Sequence, residues 1–332
     1  MEDPTERGPE AAPTRVTRLD FDIEWPPKHA AAYLLEEPAL TLIDTGDPEA
    51  PAEATIREEL AAKGYDPTDV EAVIVTHPHS DHIGQVPLLR EAGATVYAPR
   101  PVLEQLEREP ADLAAGVRQI GRSAGYHGEA IDREVERATS SLERNRRLLA
   151  PEETVPFEFG EPFVVAGREF EAVHTPGHQI HHASLVTDLN GERALFSGDA
   201  LIEPFRPGAI HVGLDFGAYE AVDAFHAAMD RLEGRVVDRV LPGHGPVFTE
   251  YERAIDTTRS SLEELTGETF EAVAAVGPAT PIEITRNRTG EVRHPAQLLD
   301  TLGALGTLEA RDRIEYEDRD GVRYYSVRKA SP

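Results

Sequence analysis

Residues 75–84 read VTHPHSDHIG and place His77, His79, Asp81 and His82 within six positions. Neutral imidazole is the commonest protein metal ligand, and carboxylates share that role. His77 and His79 flank a single residue, so in extended backbone both side chains point the same way. Asp81 and His82 then turn aside at a helix start. Four donors this close together can serve two adjacent metal ions. A solvent-exposed histidine-rich turn would use the same residue types, but this set follows a buried strand. Burying several imidazoles and a carboxylate there costs free energy unless something compensates.

Further segments offer partners. EAVHTPGHQIHHASL, residues 171–185, carries His174, His178, His181 and His182. FSGDALI puts Asp199 at the end of an apolar strand, VLPGHGPV puts His244 after a strand and a Pro-Gly turn, and LIDTG ends a strand at Asp44. Each is weak alone, since a strand-end Asp is often a helix cap and PGH is often a plain turn. Taken with the first cluster they form a constellation at strand termini, the usual position of sites in layered α/β folds. Cysteine is absent. Disulfides, thiolate nucleophiles and Cys-ligated metals are therefore excluded, and any metal sits on His, Asp or Glu.

The elements that must position these residues can be read from periodicity. Residues 30–46 form two short strands around a Glu-Pro turn, and a helix over 51–63 closes at Gly64. VEAVIVTH is a short β-branched run typical of a buried strand, followed by a helix near 83–92 and the strand ATVYAP. This alternation marks an α/β layered fold. Residues 101–150, rich in Ala, Glu, Arg and Leu with breaks at Pro110 and GRSAGYHG, read as an insertion of two or three helices. Strands return in EPFVVAGREFEAVHT, in ASLVTDLNGERALFSGD with a hairpin turn at Asn190-Gly191, and in RVVDRVLPGHG. Helices occupy 218–232 and the residues after Thr249. From 266, helical segments lead to RIEYEDRDGVRYYSVR, a β-hairpin around Asp320-Gly321, the order expected of a small winged-helix-like domain over 266–332. The large domain is then 15–265, and no repeat of solenoid period is present.

Composition bounds the class. The 332 residues, 40% hydrophobic, suffice for one large domain and a small one. No apolar run approaches ~18 residues, so no membrane span is expected. Residues 1–14, MEDPTERGPEAAPT, read as a disordered acidic tail without a signal-peptide core, which implies a cytoplasmic protein. Acidic residues outnumber basic ones 61 to 33, a net charge of −28, and the only lysines are Lys28, Lys63 and Lys329. That balance resembles proteins of salt-loving microbes. At molar salt the Debye length shrinks to ~3 Å, self-repulsion is screened, and net charge says little about partners.

The pieces LIDTG, THPHSDHIG, HTPGH, FSGDALI and LPGHG, in this order, resemble the metallo-β-lactamase superfamily over roughly residues 29–250. The resemblance implies an α/β, four-layer αβ/βα sandwich with a binuclear metal site. Position by position, it implies one metal on His77, His79 and His178, a second on Asp81, His82 and His244, and Asp199 bridging both. Asp44 would steady a ligand or its turn, and His182 would lie beside a ligand or in the pocket wall. His174 is expected to be packed or hydrogen-bonded and His181 to be a loop residue. Two Zn²⁺ suit the set, with Fe or Mn as alternatives. Two metals about 3.5–4 Å apart can hold a bridging hydroxide at neutral pH, which would attack a carbonyl or phosphoryl centre. Asp81 would orient that nucleophile and shuttle a proton to the leaving group.

A rival lies in GRSAG, residues 121–125, which has the spacing of a Ser123 nucleophile elbow. That motif needs a preceding strand, whereas ADLAAGVRQI reads as helix. Neighbouring His127 is a lid or surface residue. The insertion lies where relatives place a cap, and its Arg118, Arg122, Arg144, Arg146 and Arg147 could bind an anionic substrate or form a solvated face. His211, in RPGAIHVGLDF, is a candidate substrate contact. Residues 284–332 carry nine basic and eight acidic groups, +1 in a chain of −28. Such a tail could touch nucleic acid, pack on the catalytic domain, or join two copies in a homodimer. A sandwich with this tail resembles both the glyoxalase-II-like hydrolases and an RNA-cleaving branch. The expected activity is hydrolysis of a small ester, thioester or lactone. The alternatives are an endoribonuclease or phosphodiesterase, and a nucleic-acid-binding regulator whose sandwich senses a ligand.

Overall fold

The apolar runs form two sheets, described over residues 15–329 in a computed structural model. The tail expected over 1–14 lies outside the described residues. In chain order the elements begin β1 (Val16–Asp22), β2 (His29–Leu35), β3 (Thr41–Ile43), α1 (Ala50–Ala62), β4 (Ala72–Ile74), α2 (Ser80–Ile83), α3 (Val86–Glu91) and β5 (Thr95–Pro99). Then come α4 (Arg100–Leu106), α5 (Pro110–Ser123), α6 (Glu129–Leu149), β6 (Val155–Phe157), β7 (Pro162–Val165), β8 (Arg168–His174), β9 (Ala183–Asp188) and β10 (Arg193–Gly198). The chain continues through α7 (Ala221–Leu232), β11 (Arg239–Pro242), α8 (Tyr251–Val276), α9 (Pro281–Thr289), α10 (Pro295–Ala310), β12 (Ile314–Arg319) and β13 (Val322–Val327).

The first sheet runs β1-β2-β3-β4-β5-β6 and the second β11-β10-β9-β8-β7. β3, β4, β5 and β6 are parallel neighbours. Parallel neighbours need long crossovers; α1 joins β3 to β4, α2 and α3 join β4 to β5, and the helical insertion, three helices, is the crossover from β5 to β6. Period-two burial sets the packing. Ala31, Tyr33 and Leu35 of β2, Ile74 of β4 and Phe196 of β10 share one apolar core with residues of both sheets. Ala32, Leu34 and Val73 point the other way, against α1, α3, α4 and α6. Leu195 of β10 and Val240 of β11 meet α7 and α8.

Several readings shift in detail. β1 was not expected, although its buried Leu19 and Phe21 alternate with exposed Asp20 and Asp22. The VEAVIVTH strand is regular only over Ala72–Ile74, since the chain leaves the sheet to present His77. The helix near 83–92 is two helices, because the chain bends at Gly84, whose N–H donates to Gly46 O at 2.8 Å. Ser123 ends α5 and donates to Ile120 O at 2.8 Å, so the strand-turn-helix context of a nucleophile elbow is lacking there. α8 runs without a break across residues 265–266. Its first half packs against the second sheet's helices and its end against α9, α10 and the terminal hairpin. The hairpin turns where the sequence indicated, with positive φ at both Asp320 and Gly321. Among the described residues no helix is long and apolar enough to cross a membrane.

Candidate metal centre

The site forms where strands of both sheets end. β3 delivers Asp44, β4 leads to His77, β10 to Asp199 and β11 to His244, while the β8–β9 loop supplies His178 and His182. The two sheets are stitched at this end by Ala31 N–H donating to Gly243 O, Ala183 N–H to Thr76 O, and Tyr33 Oη to Pro242 O, each 2.8–2.9 Å. All seven residues expected to bind metal converge. His77, His79 and His178 offer donor atoms within 4.8 Å of one another, as do Asp81, His82 and His244, and also His77, His82 and Asp199. His79 alone of the seven is only partly buried, which marks the side open to solvent.

Ring orientation follows from second contacts. Asp44 is buried with positive φ at the strand end. Its Oδ1 accepts from Thr76 N at 2.9 Å and its Oδ2 from Thr76 Oγ1 and His82 Nδ1, both at 2.8 Å. His82 Nδ1 therefore donates to Asp44, which turns Nε2 toward Asp81 and Asp199 as the atom a metal would take in place of a proton. His178 Nδ1 donates to Gly208 O at 3.0 Å, freeing Nε2, which lies 3.0 Å from His79 Nδ1 and 3.3 Å from Asp199 Oδ2. His79 Nδ1 also lies 3.1 Å from His77 Nε2. His244 donates through Nδ1 to His29 O, and its Nε2 lies 3.1 Å from Asp199 Oδ2 and 3.5 Å from Asp81 Oδ2.

His182 does not join the donor set. Its Nε2 accepts the Asp199 backbone N–H at 2.9 Å, and its Nδ1 lies 2.7 Å from Thr175 Oγ1, so it fixes the turn that carries Asp199. Only glycine fits beside it, because a Cβ on Gly198, at φ +48°, would sit 2.5 Å from His182 Nε2. Gly243 is equally constrained, since a Cβ there would meet Asp199 Oδ1 at 2.4 Å. His174 stacks on Phe159 and hydrogen-bonds Ile180 O, away from the cluster, and His127 is exposed. His181 is part-buried. His211 is buried with φ +54°, its N–H donates to His178 O, and its Nδ1 has no partner.

Electrostatics separate the histidines. Burial, then the neighbouring imidazoles, hold His77 well below the ordinary histidine range, and burial does the same to His79 and His182. Burial also works against a charged His82, yet the Asp199, Asp44 and Asp81 carboxylates outweigh it and push the ring up to about 10. Asp199 is held well below the carboxylate range, because His244 and His82 outweigh its own burial. His82 Nε2 and Asp199 Oδ1 are buried with no hydrogen-bond partner. Such orphaned atoms are costly unless a ligand satisfies them. Ring nitrogens about 3 Å apart and a shared carboxylate fit a cation, so this donor set fits divalent metal.

Of the insertion's arginines, the structure brings one to the site. Arg144 is half-buried; burial lowers its pKa while the Asp81 carboxylate raises it. Adjacent Asn145 donates to Pro78 O at 2.6 Å, which seats α6 on the ligand loop. Arg146 instead binds the carbonyls of Leu106 and Arg108, while Arg118, Arg122 and Arg147 are exposed. Sequence reading missed His29, whose Nε2 accepts from Gly245 N at 2.7 Å behind His244. No spacing signal marks it, because the pairing depends on the approach of the two sheets. A groove of about 760 Å³ lies at the opposite strand ends, lined by Pro38, Gly167 and Asn190, and contains none of these donors.

Fold and site define an α/β protein with clustered His and Asp side chains that could hold metal. The sequence profile of the Metallo-beta-lactamase superfamily matches residues 25–244, and the chain belongs to that superfamily. It is 24% identical over 312 residues to the probable metallo-hydrolase YqjP of Bacillus subtilis, covering 90% of this chain and 93% of that one. It is 26% identical over 211 residues to the lactamase-like protein vrtG of Penicillium aethiopicum, covering 64% of this chain but only 49% of that protein. A metallo-beta-lactamase family protein of Thermus thermophilus superposes with TM-score 0.73 at 22% identity, covering 94% of this chain and 98% of the other. A beta-lactamase domain protein of Burkholderia ambifaria gives 0.72 at 20% identity, covering 94% and 92%. The chain is a metallo-hydrolase of this superfamily.

Proposed function

We propose that the chain is a binuclear zinc hydrolase of a small ester, thioester or lactone. One metal would be held by His77, His79 and His178, the second by Asp81, His82 and His244, with Asp199 between them. The observation that carries this reading is the convergence of these seven side chains around two orphaned buried atoms, His82 Nε2 and Asp199 Oδ1. Fe or Mn would suit the same donors. When bound, such metals supply Lewis-acid activation of water and of the attacked oxygen.

The protein's own groups do the rest. Asp44 and Gly208 O keep the rings of His82 and His178 in the tautomer that presents Nε2. Asp81, in the first turn of α2, would orient the nucleophile and pass its proton to the leaving group. Arg144, half-buried on α6 and within electrostatic reach of Asp81, would offer its guanidinium to an anionic portion of the substrate. A thioester substrate is supported by a 100-residue match, 29% identical, to a protein named atrochrysone carboxyl ACP thioesterase; it covers 30% of this chain and 27% of that one.

The C-terminal elements resemble a winged helix, with α8, α9, α10, the β12–β13 hairpin and a bridge from Ala279 to Tyr325 as a short third strand. In a nucleic-acid reader the third helix faces a groove. Here α10 buries Leu298, Leu299, Leu302, Leu305 and Leu308 and packs on α7 and α8. That burial favours an architectural role and a small-molecule substrate over RNA or an operator. The reading of a four-layer sandwich, and of a cytoplasmic enzyme in a salt-loving organism, belongs to the same proposal.

The test is zinc-loaded protein in high salt, offered thioesters, lactones, phosphodiesters and single-stranded RNA. Thioester, ester or lactone turnover abolished by chelation supports the proposal. Turnover of RNA alone would replace it with the nuclease reading, and operator binding without turnover with the regulator.

A further inference from the structure

We infer that Asp300, on α10 and outside the family-matched residues 25–244, is a positioning residue for the metal-site histidine His178. The inference rests on the reading of His178 as a ligand.

The path is short and made of hydrogen bonds. His178 Nδ1 donates to Gly208 O at 3.0 Å. The next residue, Ala209, donates its N–H to Asp300 Oδ1 at 2.7 Å. Arg206, two residues before Gly208, grips both carboxylate oxygens of Asp300 at 3.3 and 3.1 Å. This fork is largely out of solvent, with the Arg206 and Asp300 side chains 8% and 17% exposed. Forked arginine–carboxylate pairs fix orientation as well as adding energy. The same strap is held to the ligand loop again at His211, whose N–H donates to Gly177 O and His178 O at 2.9 and 3.0 Å.

Residues 206–211 have no strand or helix of their own. Their place is set by what grips them, and Asp300 grips them from α10. The carbonyl that selects the His178 tautomer is thereby anchored to the C-terminal unit. Such outer partners of metal-binding histidines control metal affinity by roughly 10–100-fold.

The experiment compares zinc affinity by chelator competition, and the visible spectrum of the cobalt-substituted protein, for wild type, Asp300→Ala, Asp300→Asn and Asp223→Ala. Asp223 accepts from Thr307 Oγ1 at 2.8 Å, so its loss loosens α10 without touching the strap. Asp300→Ala is expected to weaken one of two metals by about 10–100-fold and to alter the cobalt spectrum. Asp300→Asn, which keeps an acceptor for Ala209 N–H, is expected to remain within about threefold of wild type. Asp223→Ala is expected to match wild type. Unchanged affinity in folded Asp300→Ala, or equal weakening in Asp223→Ala, overturns the inference. If Asp300→Ala does not fold, Arg206→Gln, which releases the Asp300 carboxylate, is read in its place with the same two outcomes. A wild type that binds no metal overturns the ligand reading itself.

Discussion

Asp44 and His82, 38 residues apart, are joined through Oδ2 and Nδ1 at 2.8 Å, with both side chains shielded from water. The same carboxylate takes the backbone N–H and hydroxyl of Thr76, the residue before His77. One aspartate thus orients a donor in each of two side-chain groups: His82 directly, and His77 through its neighbour.

Asp44→Ala leaves His82 Nδ1 and Thr76 N–H buried without their acceptor, at about 1–3 kcal/mol for each orphaned group. The expected outcome is a lower urea midpoint and metal affinity reduced by roughly 10–100-fold. Denaturation with and without chelator measures both; wild-type values in both would remove Asp44 from the account.

Arg144→Gln should leave metal content unchanged, because the side chain is outside the donor set. For a substrate carrying a carboxylate or phosphate, KM should rise by about tenfold or more, the loss of one charge-assisted contact. For a neutral ester KM should stay within about twofold. Equal effects on both substrates would contradict a role in anion recognition.

Burial drives His181 and His211 each down to about 4, below the ordinary value near 6.5. As pH falls, the unfolded chain takes up those protons first. The stability from keeping them neutral is present above pH ~6.5 and is lost between ~6.5 and ~4. His77, His79 and His182, also lowered, act in the same direction; His82 and His244, held up by carboxylates, act in the opposite one. The lowered groups outnumber the raised, so chelator-treated protein should show a falling urea midpoint from pH 7 to 5. A flat midpoint over that range would contradict the burial argument.

A chain of net charge −28 repels itself until salt screens it. Its melting temperature should climb from dilute buffer to molar KCl. A melting temperature indifferent to salt would remove the halophile reading.

The donor set was legible because H-x-H-x-D-H, TPGH, SGD and PGH each follow a strand, and strand ends share an edge in this kind of fold. The partners of those donors were less legible. Asp44 was readable from its strand-end corner, but His29 and Asp300 have no local signal. Their roles arise from the meeting of the two sheets and from a strap held by a distant helix. Element types followed from periodicity, while lengths did not. β4 is cut to three residues because the chain must leave the sheet to present His77. α8 extends to 26 residues because successive halves find different apolar neighbours.

The central claim is a two-metal centre completed by His178, and metal stoichiometry tests it most directly. Zinc per chain after dialysis should be two for wild type and for His174→Ala, whose ring stacks on Phe159 away from the donors. His178→Ala should lose one metal and its activity while remaining folded. A wild type holding no tightly bound metal, or a His178→Ala variant that keeps both, would contradict the account.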